Sequence, residues 1–174
     1  MTNKPSQFKY ETSLLDKYHD KKSFSCGLVH LDKYLKERAG QDGKKNVSVT
    51  YVLTLINSHK ILGYYTLSST GIIPGDLPQE LTQKLPRYPV LPAILLGRLA
   101  VDKKFQGNKI GACLLLDALK RSLKISDQIG AMAVLVDAKD DNAADFYKYF
   151  GFKEFPRNNN KLFLPMDTIM KLPS

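Results

Sequence analysis

Apolar positions recur at helical spacing early in the chain. In residues 28–39, Leu28, Leu31, Leu35 and Ala39 share one face, with Lys33, Lys36 and Glu37 opposite. That pattern predicts an amphipathic helix, with Ser25 as its amino-terminal cap. Residues 40–46 are polar, contain Gly40 and Gly43, and read as a loop. Residues 47–56 are dense in β-branched side chains and predict a strand. Asn57, Ser58 and His59 turn it, and residues 60–70 return as its antiparallel partner. Prolines at 74, 78, 86, 89 and 92 mark a connection with one short helix over 78–84.

The second half alternates. The apolar run 93–101 has the length of a central strand, and 110–129 reads as a long helix with Ile110, Leu114, Ala118 and Ile125 on one face. Residues 131–138 read as a buried, parallel-type strand. A short helix over 141–150 is stopped by Gly151. Residues 153–172 read as two short strands about the turn 157–160. The expectation is one mixed α/β domain with a βαβ unit over 93–138, without internal repeats or flexible linkers.

Composition narrows the classes. With 174 residues and 43% hydrophobic content the chain can fill a core, which excludes a disordered protein. Cys26 and Cys113 are too few for a disulfide scaffold and form no zinc-ligand cluster, so no metal is expected and a reduced, cytoplasmic setting fits. The start of the chain lacks an apolar signal region, and the apolar stretch 90–101 contains Arg98 and is too short for a bilayer. A soluble protein without membrane contact is expected.

The formal charge is +9, from 26 Lys+Arg against 17 Asp+Glu. The excess is spread along the chain, from Lys4, Lys9, Lys17, Lys21 and Lys22 to Lys120, Arg121 and Lys124. A solvated lysine surface and an anionic partner both account for it; any basic face is assembled by folding.

Between the strand ending at Val101 and the helix from Ile110 lies a glycine-bearing loop. A strand, such a loop and a helix start make an anion site, because free backbone N–H groups and the positive helix end converge. No GK[ST] follows, so it is not a Walker loop, and G-x-G-x-x-G is absent. By itself it is equally an ordinary strand-to-helix turn.

The segment Gln106-Gly107-Asn108-Lys109-Ile110-Gly111-Ala112 resembles the cofactor loop [RQ]-x-x-G-x-[GA] of the GCN5-related N-acetyltransferases, the GNAT superfamily. It matches at Gln106 and Gly111 and departs at Lys109, where that family usually has glycine. A left-handed torsion there strains a lysine. Either the loop is conventional at this point, or Lys109 adds charge near a phosphate. The stretch from Asn142 to Phe152 resembles the family's N-x-x-A-x-x-F-Y-x-x-x-G-F. The resemblance implies a single acetyltransferase domain over 1–174. Its fold is a mixed, mostly antiparallel sheet with flanking helices around a central βαβ acetyl-CoA-binding unit. It further implies that Leu99, Ala100, Val101, Gln106, Gly107, Asn108, Lys109, Ile110, Gly111 and Ala112 hold acetyl-CoA. Asn142 corresponds to the residue on the pantetheine arm, and Tyr147 to the tyrosine near the cofactor sulfur. Phe146, Phe150 and Phe152 read as core.

The chemistry suits these residue types. Acetyl transfer from a thioester needs a neutral amine, a donor for the developing oxyanion and a proton for the departing thiolate. A backbone N–H at the end of the strand 96–101 serves the oxyanion. A phenol with an ordinary pKa near 10 is protonated at neutral pH and serves the sulfur. Cys113, inside the helix and far from any histidine in sequence, reads as a small core residue rather than a nucleophile.

Residues 22–42, 85–115 and 151–166 further resemble one bacterial subgroup, the TacT/AtaT-type GNAT toxins of type II toxin–antitoxin modules. That likeness implies acetylation of the α-amino group of aminoacyl-tRNA, a homodimer, and inhibition by an antitoxin with a ribbon-helix-helix part. A basic chain suits a tRNA substrate. No carboxylate or histidine sits beside the centre of the strand over 93–101, LLGRLA, in sequence; His19, His30 and His59 lie elsewhere and read as surface or helix-face residues. An α-amine, with pKa about 7.7–8, needs a base less than lysine does. Arg98 interrupts an apolar strand and reads either as half of a salt bridge or as a contact to the tRNA acceptor end. Lys36, Lys44, Lys45 and Arg87 are further candidate tRNA contacts, and Tyr88 beside Arg87 offers a base contact. Two other readings compete: an acetyltransferase of a small amine or protein amino terminus, and a non-catalytic RNA- or protein-binding module on the same scaffold.

Overall fold

The computed structural model describes residues 9–173. Lys4 and the first eight residues of the expected leader-free start lie outside them. The strands are β1 (Tyr10–Leu14), β2 (Val49–Leu55), β3 (Gly63–Ile72), β4 (Leu91–Val101), β5 (Ala133–Asp137), β6 (Lys153–Phe155) and β7 (Asn158–Pro165). They form one seven-stranded sheet in the order β1-β2-β3-β4-β5-β7-β6. β4 and β5 pair in parallel, whereas β1–β2, β5–β7 and β6–β7 pair antiparallel. The helices are α1 (Val29–Lys33), α2 (Ala39–Lys44), α3 (Gln79–Thr82), α4 (Ile110–Ser126), α5 (Asp141–Tyr149) and α6 (Met166–Met170). The expected mixed α/β class, the parallel β4-α4-β5 unit and the short helix in the proline-rich connection are all present.

Contacts divide the chain into two compact units, Met1–Thr66 with Arg98–Leu115, and Leu67–Gly97 with Leu116–Ser174. The first is built around Phe24, Leu35, Val52, Ile61, Tyr64 and Ala100, with Phe24 and Tyr64 meeting edge to face at 5.6 Å. Each fully buried aliphatic side chain contributes about 1.5–3 kcal/mol. β3 enters this unit through Gly63, where an added Cβ lies 2.6 Å from Leu114 Cδ1 and 2.9 Å from the Ala100 carbonyl oxygen. The second unit packs Ile72, Leu91, Leu135, Phe155 and Phe163. In it the parallel register runs from Ile94↔Val134 to Leu96↔Val136.

Several boundaries depart from the sequence reading. The loop expected over 40–46 is helical as far as Lys44. A π turn, Tyr34–Arg38, joins α1 to α2 without a break. Burial of Leu35 and Ala39 and the Tyr34 hydroxyl donating to Asp42 Oδ2 at 2.8 Å carry the helix past both glycines. Ser25 does not cap it: Leu28 is the cap position, without a side-chain hydrogen bond. The Ser25 N–H instead donates to Asp102 Oδ2, and Asp32 Oδ1 accepts the Cys26 N–H. β1 was not expected at all; it is a short edge strand paired from Tyr10↔Leu55 to Leu14↔Tyr51. At the other end, 153–172 is two strands followed by α6, because Met166 and Ile169 bury against the unit once Pro165 has turned the chain.

Candidate active site

In the first unit, β4 ends at Val101 and the backbone then turns through the buried Asp102. The Asp102 carboxylate caps a single 3₁₀ turn, Lys103–Phe105, by accepting the Lys104 N–H at 3.0 Å. The segment that follows is fastened from behind. Lys103 N–H donates to the Ser25 carbonyl at 2.8 Å. Gln106 Nε2 donates both to the Cys26 carbonyl at 3.1 Å and to the Val101 carbonyl at 3.0 Å. The Gln106 side chain thus positions the loop and leaves its amide as the group available to a ligand.

Gly107 has φ 85° and Lys109 φ 60°. A Cβ at Gly107 meets nothing within 4 Å, so the glycine answers to its torsion and not to crowding. At Lys109 the left-handed geometry expected of the family glycine is kept by a lysine. The conventional-loop alternative therefore fails there, and the strain amounts to about 1–2 kcal/mol. The first rung of α4 is Cys113 N–H to the Lys109 carbonyl, 3.1 Å. The amides of Ile110, Gly111 and Ala112 precede that ladder, as at every helix start, and point out of the positive end of a 17-residue helix. Lys103, Lys104 and Lys109, shortly before them in sequence, are exposed. The donor set suits a diphosphate. Immediately before it, Ala100 is buried, and Leu99 and Val101 are half-buried at the carboxyl end of β4.

Arg98, half-buried, forms no ion pair among the described residues. Its guanidinium carbon lies 3.5 Å from the centroid of the Tyr34 ring. The salt bridge read from sequence is replaced by a cation–π contact, which leaves the cation's charge uncompensated by a carboxylate. Tyr34 was not expected here, and its separation from Arg98 in sequence gave no signal. Lys36, Lys44 and Lys45 are exposed along the π turn and the end of α2.

In the second unit, α5 carries the other half of the motif. Asp140 caps it by accepting the Ala143 N–H at 2.8 Å. Asn142 is exposed in the first turn. Gly151, at φ 97°, closes the helix: its N–H donates to the Lys148 carbonyl, and the Phe152 N–H to the Tyr147 carbonyl. Lys148 also pairs with Glu154 of β6. Tyr147 is buried between Phe146 and Phe152, edge to face at 5.2 and 5.4 Å. No described residue hydrogen-bonds its hydroxyl, and burial pushes its pKa up to about 12. The phenol is therefore held in its protonated form. Of the phenylalanines expected as core, Phe152 is buried, while Phe146 and Phe150 are half-buried. Arg87 and Tyr88 stand exposed in the loop before β4.

Two other expectations change. Cys113 is exposed, because the buried stripe of α4 (Ile110, Leu114, Leu115, Ala118) leaves it on the opposite side. Cys26 is the buried cysteine, and desolvation pushes its thiol up to about 11, which removes it as a nucleophile. The His19 side chain is 8% exposed rather than on the surface, with Nδ1 accepting the Asp16 N–H. His30 and His59 are exposed, as read.

The family model of the acetyltransferase (GNAT) domain matches residues 92–168. The tRNA-acetylating toxin of Mycobacterium tuberculosis is 39% identical over 84% of this chain and 86% of its own length. The probable toxin TacT of Sinorhizobium fredii is 30% identical over 88% and 89%. Among solved structures, AtaT complexed with acetyl-methionyl-tRNAfMet is 30% identical, with a TM-score of 0.87 over 93% of this chain and 98% of that one. AtaTR bound with acetyl-CoA is 30% identical, with a TM-score of 0.81 over 92% and 96%. AtaT bound to the carboxy terminus of the antitoxin AtaR is 27% identical, with a TM-score of 0.78 over 92% and 96%. A tyrosine on a capped helix and a loop with left-handed torsions before α4 thus occur in a sequence related along most of its length to a tRNA-acetylating toxin and to a probable toxin TacT, and the chain belongs to the GNAT acetyltransferase family.

Proposed function

We propose that this chain is a single-domain, acetyl-CoA-dependent N-acetyltransferase that modifies the α-amino group of aminoacyl-tRNA and so blocks translation. The observation that carries the reading is the loop before α4, whose left-handed torsions at Gly107 and Lys109 precede a run of unladdered amides. The relatives and neighbours just described, acting on or holding tRNA and acetyl-CoA, support it.

Acetyl-CoA supplies the activated acetyl group. The amides of Gln106, Gly107, Asn108, Lys109, Ile110, Gly111 and Ala112 hold its diphosphate, with the Lys109 charge added. The β4 backbone at Leu99, Ala100 and Val101 donates to the charge that grows on the acetyl oxygen. Asn142 binds the pantetheine arm. Tyr147 gives its proton to the departing sulfur, and its raised pKa keeps that proton available throughout the neutral range. The acceptor α-amine, with pKa about 7.7–8, is neutral in a far larger fraction than a lysine side chain and so needs a protein base less. Arg98, Lys36, Lys44, Lys45 and Arg87 bind the tRNA, which a +9 chain attracts by counterion release. The protein acts in the cytoplasm as a homodimer. Its inhibitor is an antitoxin, by analogy with the AtaT–AtaR pair, and the sequence resemblance adds a ribbon-helix-helix part to it.

Incubating the protein with a charged-tRNA pool and labelled acetyl-CoA tests the reading. Label is expected on aminoacyl-tRNA; label only on free amines or protein amino termini assigns the alternative acetyltransferase class, and none at all returns the chain to a binding module.

A further inference from the structure

Within the first unit, Arg98 is held in a way that charge alone does not require. Its guanidinium carbon stands 3.5 Å from the centroid of the Tyr34 ring, the contact distance of two stacked planes. Tyr34 is itself fixed. It is 6% exposed, packs in one core with Leu35, Ala39 and Ala100, and its hydroxyl donates to Asp42 Oδ2 at 2.8 Å. Arg98 and Ala100 share one face of β4, because side chains two apart on a strand point the same way. The ring therefore covers one side of the guanidinium and leaves its in-plane N–H donors unspent. No carboxylate pairs with Arg98, and no described residue accepts a hydrogen bond from it. A half-buried cation in that state is costly until an anion meets it. The parallel register of β4 with β5 ends at Leu96↔Val136, so Arg98 lies beyond the last pair, on the stretch that leads to Leu99–Val101.

We propose that Tyr34 is a positioning residue whose ring presents Arg98 as a two-pronged clasp for one phosphodiester of the tRNA acceptor end, an inference that rests on reading the chain as a tRNA acetyltransferase. A guanidinium stacked on a fixed ring offers its donors only within its own plane, and two parallel N–H groups there match two oxygens of one phosphate. A neutral base would leave the charge uncompensated; a phosphodiester does not. Arg98 stands two residues, about 7 Å of strand, before Ala100, whose backbone is assigned to the reacting acetyl group. The phosphodiester held here is therefore the one nearest along the RNA to the aminoacyl ester. Tyr34 touches no substrate in this arrangement and acts through Arg98 alone.

The test follows steady-state acetylation of aminoacyl-tRNA and, separately, equilibrium binding of uncharged tRNA across a salt series. Tyr34→Leu is expected to raise the KM for aminoacyl-tRNA by about tenfold or more, with kcat and the KM for acetyl-CoA kept. Its log–log salt slope should fall by about one, since one phosphate is no longer held. Tyr34→Phe retains the ring and should keep most of the tRNA affinity. Arg98→Ala should match Tyr34→Leu, and the double variant should lose no more than either single one; a Tyr34 that serves only the core makes the two losses add and overturns the proposal. Arg98→Lys keeps the charge without plane or fork, and is expected to lose as much as Arg98→Ala. It leaves the core untouched, so it decides if Tyr34→Leu unfolds: wild-type tRNA affinity in Arg98→Lys overturns the proposal. So does a rise in the KM for acetyl-CoA in place of that for tRNA, which gives the guanidinium to a phosphate of the cofactor. A wild-type protein whose tRNA binding depends on both residues yet acetylates no tRNA keeps the clasp and removes the enzymatic reading. Acetylation of aminoacyl-tRNA that no variant alters does the reverse.

Discussion

The loop at Gln106–Lys109 and the tyrosine at 147 belong to different compact units and work by opposite means. The loop offers backbone, is exposed, and carries or directly follows the exposed Lys103, Lys104 and Lys109 in sequence. Tyr147 offers one side-chain hydroxyl, buried among aromatic rings, with its proton held by desolvation. A site made of amides is indifferent to side-chain identity as long as the torsions are kept, and that is why a lysine stands at φ 60° where glycine is usual. A site made of one hydroxyl has no such freedom.

Tyr147→Phe breaks the comparison most sharply. It keeps ring, packing and pocket, so acetyl-CoA affinity measured by calorimetry should hold while turnover falls about 10²–10⁴-fold, or roughly 3–5 kcal/mol. Wild-type turnover in that variant returns Tyr147 to the core. The pH profile sharpens the same point. Activity should climb as the acceptor amine loses its proton near pH 8, with no loss of the donor before the pH approaches 12. Stability follows the same ionisation. It is fully present below pH 10, where neither state ionises, and is lost between about 10 and 12, where only the unfolded tyrosine does.

In the first unit, Lys36→Glu, Lys44→Glu and Lys45→Glu together should flatten the log–log salt dependence of tRNA binding by about one unit per lysine and spare acetyl-CoA binding. A wild-type slope near zero would leave the basic face without an electrostatic role. Gly63→Ala should lower stability by about 1–3 kcal/mol in a thermal melt, since the Ala100 carbonyl and Leu114 leave the new methyl no room. The smallest effect belongs to Lys109→Gly. Relief of the torsion and the added chain entropy of glycine nearly cancel, so stability should shift by less than about 1 kcal/mol with acetyl-CoA still bound. Complete loss of binding would make the Lys109 ammonium a required ligand.

The sequence disclosed most where period and length agree. β4, α4, β5 and α5 were legible because each combines an apolar pattern with a stop signal, Gly151 being the plainest. α2 was hidden because Gly40 and Gly43 are local breakers, whereas its support, Leu35 and Ala39 in the core and Tyr34 on Asp42, is tertiary. β1 and α6 are five residues each, too short for a period to rise above chance. The residue types of the site could be read from the motif. Its physical state could not: the left-handed Lys109, the uncharged surroundings of Tyr147 and the ring beneath Arg98 all depend on neighbours distant in the chain.

The fastening of the loop to residues 25 and 26 has a consequence for local opening. Ser25 gives its N–H to Asp102 and takes that of Lys103, while Cys26 accepts from Gln106. None of these bonds lies within one element; each spans more than seventy residues of chain, and they cannot open one by one without displacing the same short stretch. In deuterium exchange the amides of Ser25 and Lys103 should therefore gain mass at a common rate, as a single cooperative unit. The amides that precede the α4 ladder, a few residues away, should exchange orders of magnitude faster until a ligand closes over them.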